Sequence, residues 1–226
     1  MDELRFDGQV ALVTGAGRGL GREHALLLAS RGCKVVVNDL GSAYDGTGAS
    51  EKRVADEVVA EIRAAGGVAE AVACDVTDPA AVVEAVRRLE EHLGPTAVAV
   101  ASAGLHRATW PLDAARARAV IDANVNGTTN LLAAVLPGML DRGRGHLCGV
   151  ASLAAVVGLR KNAAYSASKA AVLMLLESLR VDCRPFGIMV TTAFPGYVDT
   201  PMITTEERAA GIAMPASEAA TRILRA

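Results

Sequence analysis

Six short apolar runs alternate with helix-period stretches along this chain, and that alternation restricts its fold more than any other feature. The runs are V-A-L-V-T (10–14), K-V-V-V-N (34–38), A-V-A-C-D (71–75), A-V-A-V-A (97–101), H-L-C-G-V (146–150) and I-M-V-T-T (188–192). Amphipathic segments such as 51–65 and 80–93 lie between them. Apolar runs of this length bounded by helices read as strands of a parallel sheet covered on both faces. Repeated βα units then give an α/β, doubly wound Rossmann-type sheet with right-handed crossovers and the order 3-2-1-4-5-6. Hydrophobic residues make up 51% of the 226 and aromatic residues only 3%, so small aliphatic side chains must fill the core.

No Pro/Ser-rich linker and no internal repeat divides the chain, so 1–226 reads as a single domain. Segments 41–48 and 158–162 read as loops, and 200–214 as a lid. A terminal helix follows, with Ser217 as its candidate cap. A formal net charge of −2 argues against binding driven by phosphate neutralisation on nucleic acid. The sequence has no apolar run long enough for a membrane span, and its charged N-terminus is unlike a signal peptide. Cys33, Cys74, Cys148 and Cys183 form no C-x-x-C pair, which fits a reducing cytoplasm. The four histidines are scattered, so no metal site is expected.

The first strand runs straight into T-G-A-G-R-G-L-G (14–21) and then a helix. Glycines there let backbone N–H groups approach a phosphate, and the helix N-terminus adds partial positive charge. This strand–loop–helix context makes Gly15, Gly17, Arg18, Gly19, Leu20 and Gly21 a candidate dinucleotide cradle. Asp39 follows the second strand, where a carboxylate binds the adenosine ribose and repels a 2′-phosphate. It favours NAD over NADP, although Arg18 in the loop either welcomes a phosphate or pairs with Asp39. Farther on, Tyr165 and Lys169 stand at i and i+4 on one helix face. The pair is either an ordinary surface pair or a phenol held beside an ammonium.

These residues together resemble the short-chain dehydrogenase/reductase family over about 14–200. The resemblance rests on T-G-x-x-x-G-x-G at 14–21, D-V at 75–76, N-V-N-G at 124–127, Ser152, Y-x-x-x-K at 165–169 and P-G-Y-V-D-T at 195–200. It implies that Asp75 and Val76 contact the adenine, and that Ala103 and Gly104 let the backbone approach the cofactor. By the same resemblance, Asn124 sits in a helix kink and holds a water. Pro195, Gly196, Val198 and Thr200 belong to the turn that holds the nicotinamide. The chain departs from the family by A-S-A-G at 101–104, where an asparagine is common; Ser102 is expected to replace some of its hydrogen bonds. No seventh strand is expected, which favours a homodimer through the helices carrying Asn124 and Tyr165 over a tetramer.

The catalytic set implied is Asn124, Ser152, Tyr165 and Lys169. Tyr165 moves the proton and Ser152 orients the substrate oxygen. Lys169 binds the nicotinamide ribose and lowers the phenol pKa, since a neighbouring cation depresses an acid by about 1–3 units. The function expected is hydride transfer between NAD and a hydrophobic secondary alcohol or ketone. Similarity of the cofactor half to dehydrogenase parts of multifunctional enzymes makes hydroxyacyl and steroid-like substrates candidates. The alternatives are an NADP-preferring ketone reductase and a non-catalytic dinucleotide sensor or scaffold. Lys161, Asn162, His106 and Trp110 are either entrance residues or ordinary surface and packing residues.

Overall fold

The computed structural model describes residues 4–43, 45 and 53–225. Six parallel strands form the central sheet: β1 Val10–Thr14, β2 Lys34–Asn38, β3 Val68–Val72, β4 Thr96–Ala101, β5 Gly145–Val150 and β6 Ile188–Ala193. Their order is β3-β2-β1-β4-β5-β6, as expected. Helices α1 Gly19–Ser30, α2 Arg53–Ala64 and α8 Ala216–Leu224 cover one face. On the other lie α3 Pro79–Leu93, α5 Gly127–Asp141 and α6 Ala163–Cys183. Two further helices, α4 Ala114–Ile121 and α7 Thr205–Ala209, lie in the connections.

Strand residues alternate between the two layers, because successive side chains point to opposite faces. Val10, Leu12 and Val36 pack with Leu131, Val135 and Leu176. Ala11, Val13, Val35 and Val37 pack with Ala25, Leu28, Val58 and Ile62 on the opposite face. Every residue of β1 is buried, which explains why it reads as a continuous apolar run.

The third strand differs from its expected place at 71–75: it spans Val68–Val72. It lies at the sheet edge and pairs only with β2, with Lys34 opposite Val68. An edge strand is covered incompletely, so its sequence, V-A-E-A-V, carries a polar residue. The apolar residues after it form the exit of the strand, with Cys74 buried and Asp75 turning the chain. Ser217 is also not the cap of the terminal helix. Helix α8 starts at Ala216 after Pro215, with no side-chain cap, and Ser217 lies in its first turn. Proline with its fixed φ enters the helix without needing one.

Among the described residues no seventh strand joins the main sheet. Instead β7 Val198–Asp199 and β8 Met214–Pro215 form a small parallel pair that closes the base of the 200–213 segment. All four cysteines are free and buried. No helix among the described residues is long and apolar enough to cross a membrane. Of the expected loop at 41–48, residues 44 and 46–48 lie outside the described residues.

One buried polar group carries a measurable consequence. His24, on α1, is 3% exposed, and neither ring nitrogen has a hydrogen-bond partner among the described residues. Burial pushes its pKa down from 6.5 to about 4. The unfolded chain therefore binds the extra proton first, so stability is full above about pH 6.5 and falls as pH drops toward 4. The loss should reach roughly 3 kcal/mol near pH 4. Urea unfolding at pH 7 and pH 4.5 checks this: His24→Phe should flatten the difference, and an equal acid loss in the variant would exclude His24 as its source.

Candidate active site

The sheet order reverses between β1 and β4, and a crevice opens there at the carboxyl ends of the strands. Gly15 leaves β1 at φ 64°, and a Cβ on it would lie 2.7 Å from the Ala103 Cα. Only glycine lets the two loops come this close. The buried Thr14 hydroxyl joins them, accepting the N–H groups of Ser102 and Ala103 at 3.3 and 3.2 Å. Thr14 thus fills the role expected of Ser102, whose own hydroxyl makes no hydrogen bond among the described residues. Geometry explains the difference: Thr14 projects from the neighbouring strand straight at the turn.

The cleft that opens here has a volume of about 1240 Å³. At one end, no side chain caps the N-terminus of α1, which leaves it suited to an anion. The Asp39 carboxylate, at the exit of β2, accepts the Gly17 N–H at 2.8 Å and the Gly41 N–H at 2.7 Å. One oxygen therefore braces the glycine loop and the other closes its own turn. Arg18 is exposed, and its guanidinium donates to the Ser42 carbonyl at 3.4 Å. Asp75 closes a turn by accepting from the Thr77 N–H and hydroxyl at 2.9 and 2.8 Å. The Val76 carbonyl accepts from Asn130 on α5 at 2.9 Å. The open helix end, the close-approach loop and the fixed carboxylate together fit a dinucleotide.

At the other end α6 begins at Ala163, so Tyr165 and Lys169 face the cleft one helical turn apart. Tyr165 is 9% exposed and Lys169 7%. Ser152, just past β5, faces Tyr165 across the cleft end and pulls its pKa down, and its Oγ accepts the Ala154 N–H at 3.2 Å. His106 meets the Tyr165 ring edge-on with centroids 4.6 Å apart. The Lys169 ammonium donates to the Val150 carbonyl at 2.8 Å and stands 5.8 Å from the Tyr165 ring centroid.

The electrostatics correct one expectation. Burial pushes the Tyr165 phenol above its ordinary value of 10.0, and the Ser152 side chain pulls it only partly back. Lys169 is not among the groups shifting it. The lysine is itself lowered to about 8 by burial. Desolvation disfavours both charged forms, and the ammonium is directed at a backbone carbonyl instead of the phenol oxygen.

Asn124 lies in a single π-helical turn, Asp122–Asn126, between α4 and α5, which is the expected kink. Its side chain accepts the Leu105 N–H at 2.6 Å and donates to the Leu105 carbonyl at 3.1 Å and Ser168 Oγ at 2.9 Å. A Cβ on Gly104 would stand 2.9 Å from this oxygen. Asn124 is 1% exposed and sits behind the cleft wall, as does buried Gly17. Every other candidate site residue lines the cleft: Gly15, Arg18, Gly19, Leu20 and Gly21 on the first loop, then Asp39, Asp75, Val76, Ala103 and Gly104. Ser152, Tyr165 and Lys169 follow, with Pro195, Gly196, Val198 and Thr200 on the turn after β6.

Of the open entrance candidates, His106 and Asn162 line the cleft, whereas Lys161 and Trp110 stand outside it. Trp110 is 71% exposed, and the Lys161 carbonyl binds the Thr109 N–H at 2.8 Å. Sequence reading passed over Ser168, which is fully buried and bridges Asn124 to the Tyr165 carbonyl at 2.7 Å. A serine one residue before the lysine carries no signal until the π turn is placed beside it. Asn38 was missed as well; its amide ties the exits of β2 and β3 through Val72 and Cys74 at 3.1 and 3.0 Å.

Comparison with known proteins agrees with this layout. An uncharacterized oxidoreductase of Myxococcus xanthus (strain DK1622) is 41% identical over 213 residues, covering 91% of this chain and 77% of its own. A cyclohexanol dehydrogenase of Acinetobacter sp. (strain SE19) is 33% identical over 208 residues, covering 91% and 79%. A gluconate 5-dehydrogenase from Burkholderia cenocepacia J2315, solved in complex with NADP and tartrate, superposes with a TM-score of 0.86 at 27% identity, over 99% of this chain and 89% of that one. Residues 9–211 match the family described as short chain dehydrogenase, and the chain belongs to that family of NAD(P)-dependent oxidoreductases.

Proposed function

We propose that this oxidoreductase transfers hydride between NAD and a secondary alcohol or ketone with a hydrophobic body, using Tyr165 as proton donor and acceptor. The observation that carries the reading is the meeting of Ser152, Tyr165 and Lys169 at one end of a cleft whose other end fits a dinucleotide. When bound, the nicotinamide dinucleotide accepts or supplies the hydride. Ser152 holds the substrate oxygen beside the phenol. In the reducing direction Tyr165, neutral at pH 7 as an ordinary phenol is and kept so by burial, donates its proton to the oxygen as negative charge develops there. The oxidising direction needs the phenolate, so it speeds up as pH rises.

Lys169, with a pKa of about 8, stays mostly protonated at neutral pH and holds the ribose hydroxyls of the cofactor. Asn124 enters as a positioning residue that braces Leu105 and Ser168 around the site. Leu153, Leu105 and Ile203 give the substrate end apolar walls, and the cyclohexanol dehydrogenase of Acinetobacter, by its name, takes an alcohol that suits such walls. The 200–214 segment acts as a lid, with Met202 and Ile203 over the cleft. Assembly is as a homodimer through α5 and α6, where Met174 and Val181 are exposed.

NAD is favoured because Asp39 fixes a carboxylate beside the ribose site through Gly17 and Gly41. The second reading, NADP, draws on exposed Arg18 and on the NADP in the Burkholderia structure.

Tyr165→Phe should lower kcat by about 10²–10⁴-fold. Calorimetric binding of the dinucleotide should stay unchanged; an unaltered kcat would remove Tyr165 from the chemistry. Asp39→Ala should reduce the NAD/NADP ratio of kcat/KM by at least about tenfold, equivalent to ~1.4 kcal/mol. An unchanged ratio would place cofactor choice elsewhere. Lys169 is one of four lysines, and ¹³C-labelled lysine resonances followed against pH should show one titrating near 8, absent in Lys169→Met. Four ordinary titrations near 10.4 would contradict its burial as a charged group.

A further inference from the structure

The substrate end of the cleft has a charge layout that its apolar walls do not require. Its lining there comes from three stretches: residues 104–106, parts of 153–162 and parts of 195–203. The first two contain no Asp or Glu. In the third the sole acid is Asp199, tied to Arg208 at 2.8 Å. The cleft's other carboxylates are accounted for elsewhere. Asp39 and Asp75 stand at the strand exits on the adenine side, and Asp122 accepts from Asn126 at 3.0 Å on the π turn.

Three cations line the cleft: Arg18, Lys169 and Arg160. Arg18 belongs to the phosphate loop, and Lys169 is buried against the Val150 carbonyl. Arg160 is different. It sits in the turn just before α6, five residues ahead of Tyr165, directly after the exposed apolar side chains of Val156, Val157 and Leu159. Among the described residues its guanidinium has no carboxylate partner and no hydrogen-bond acceptor; only its carbonyl is used, by Asn162. The N-terminus of α6 lies beside it without a side-chain cap, which adds to the positive potential there. A guanidinium offers a planar fork that matches a carboxylate in two parallel hydrogen bonds.

We propose that Arg160 determines specificity by binding a carboxylate on the substrate, separated from the reacting carbinol by an apolar body. The preferred substrate is then an amphiphilic hydroxy acid or oxo acid. Its hydroxyl or carbonyl meets Ser152 and Tyr165, its hydrocarbon lies along Leu153 to Leu159, and its carboxylate reaches the mouth of the cleft. The reacting oxygen's position rests on the dehydrogenase reading above; the anion site rests on Arg160 alone.

The test compares wild type with Arg160→Gln and Arg160→Lys on cyclohexanol, on the 3- and 4-hydroxy isomers of cyclohexanecarboxylate, and on the matching carboxamides. Wild type should favour at least one carboxylate over its carboxamide by at least about tenfold in kcat/KM, the difference lying in KM. Arg160→Gln should abolish that preference and leave cyclohexanol and the carboxamides unchanged, while Arg160→Lys restores part of it. Carboxylates no better than carboxamides in wild type, or an equal preference in Arg160→Gln, would overturn the proposal. Calorimetric titration with cyclohexanecarboxylate and cyclohexanecarboxamide gives a second readout independent of turnover. Arg160-dependent carboxylate binding in a protein that oxidises none of the alcohols would uphold the anion site and refute the dehydrogenase reading. Binding that is identical in Arg160→Gln would refute the anion site whatever the turnover.

Discussion

The near-contact between Gly15 and Ala103 is the constraint on which the rest of the site is built. Two loops leave neighbouring strands in opposite directions and must first pass each other at a distance that excludes any side chain on one of them. Thr14 joins them with one hydroxyl that accepts two backbone N–H groups. Each of these partly buried hydrogen bonds contributes about 0.5–1.5 kcal/mol. With the loops pinned, the N-terminus of α1, the turn after β4 and the exits of β5 and β6 open into one space. Their positions in sequence are far apart; the parallel sheet alone brings them together.

The chemical end is dominated by desolvation. Burial raises the Tyr165 phenol and lowers the Lys169 ammonium, so each group is pushed toward its neutral form. The pair is therefore better described as a neutral proton donor next to a weakened cation than as a ready-made phenolate. The lysine lies in reach of a second oxygen, the Val150 carbonyl, which holds its direction. Behind both residues, Asn124, Ser168 and Leu105 form a small hydrogen-bonded brace that fixes the start of α6 against the π turn. Such a brace matters because proton transfer depends on heavy-atom distances being right within a few tenths of an ångström.

Charge is divided along the cleft. Fixed carboxylates stand beside the glycine loop and the strand exits, while the opposite end carries a guanidinium without a partner among the described residues. Between them the walls are mostly aliphatic. A cleft arranged in this way distinguishes ligands by where their charge lies as much as by their size, because an anion placed at the wrong end meets a carboxylate.

Local sequence determined the strand and helix alternation, the glycine loop, the carboxylate after β2 and the helical spacing of Tyr165 and Lys169. Each depends on short-range geometry: a strand's covered faces, a turn's allowed φ, or one helical turn. The edge strand was misplaced because its register is set by β2 and not by its own apolar residues. Ser217 has the chemistry of a cap but lies in the first turn, because the helix already begins at Ala216 behind Pro215. Tertiary structure alone decided that Thr14 and not Ser102 supports the β4 turn, that Ser168 joins Asn124 to the start of α6, and that the Lys169 ammonium binds the Val150 carbonyl beside a buried Tyr165. In all three cases the outcome depends on which atoms meet across elements and how much water the packing excludes, and neither quantity is contained in the spacing of residues along the chain.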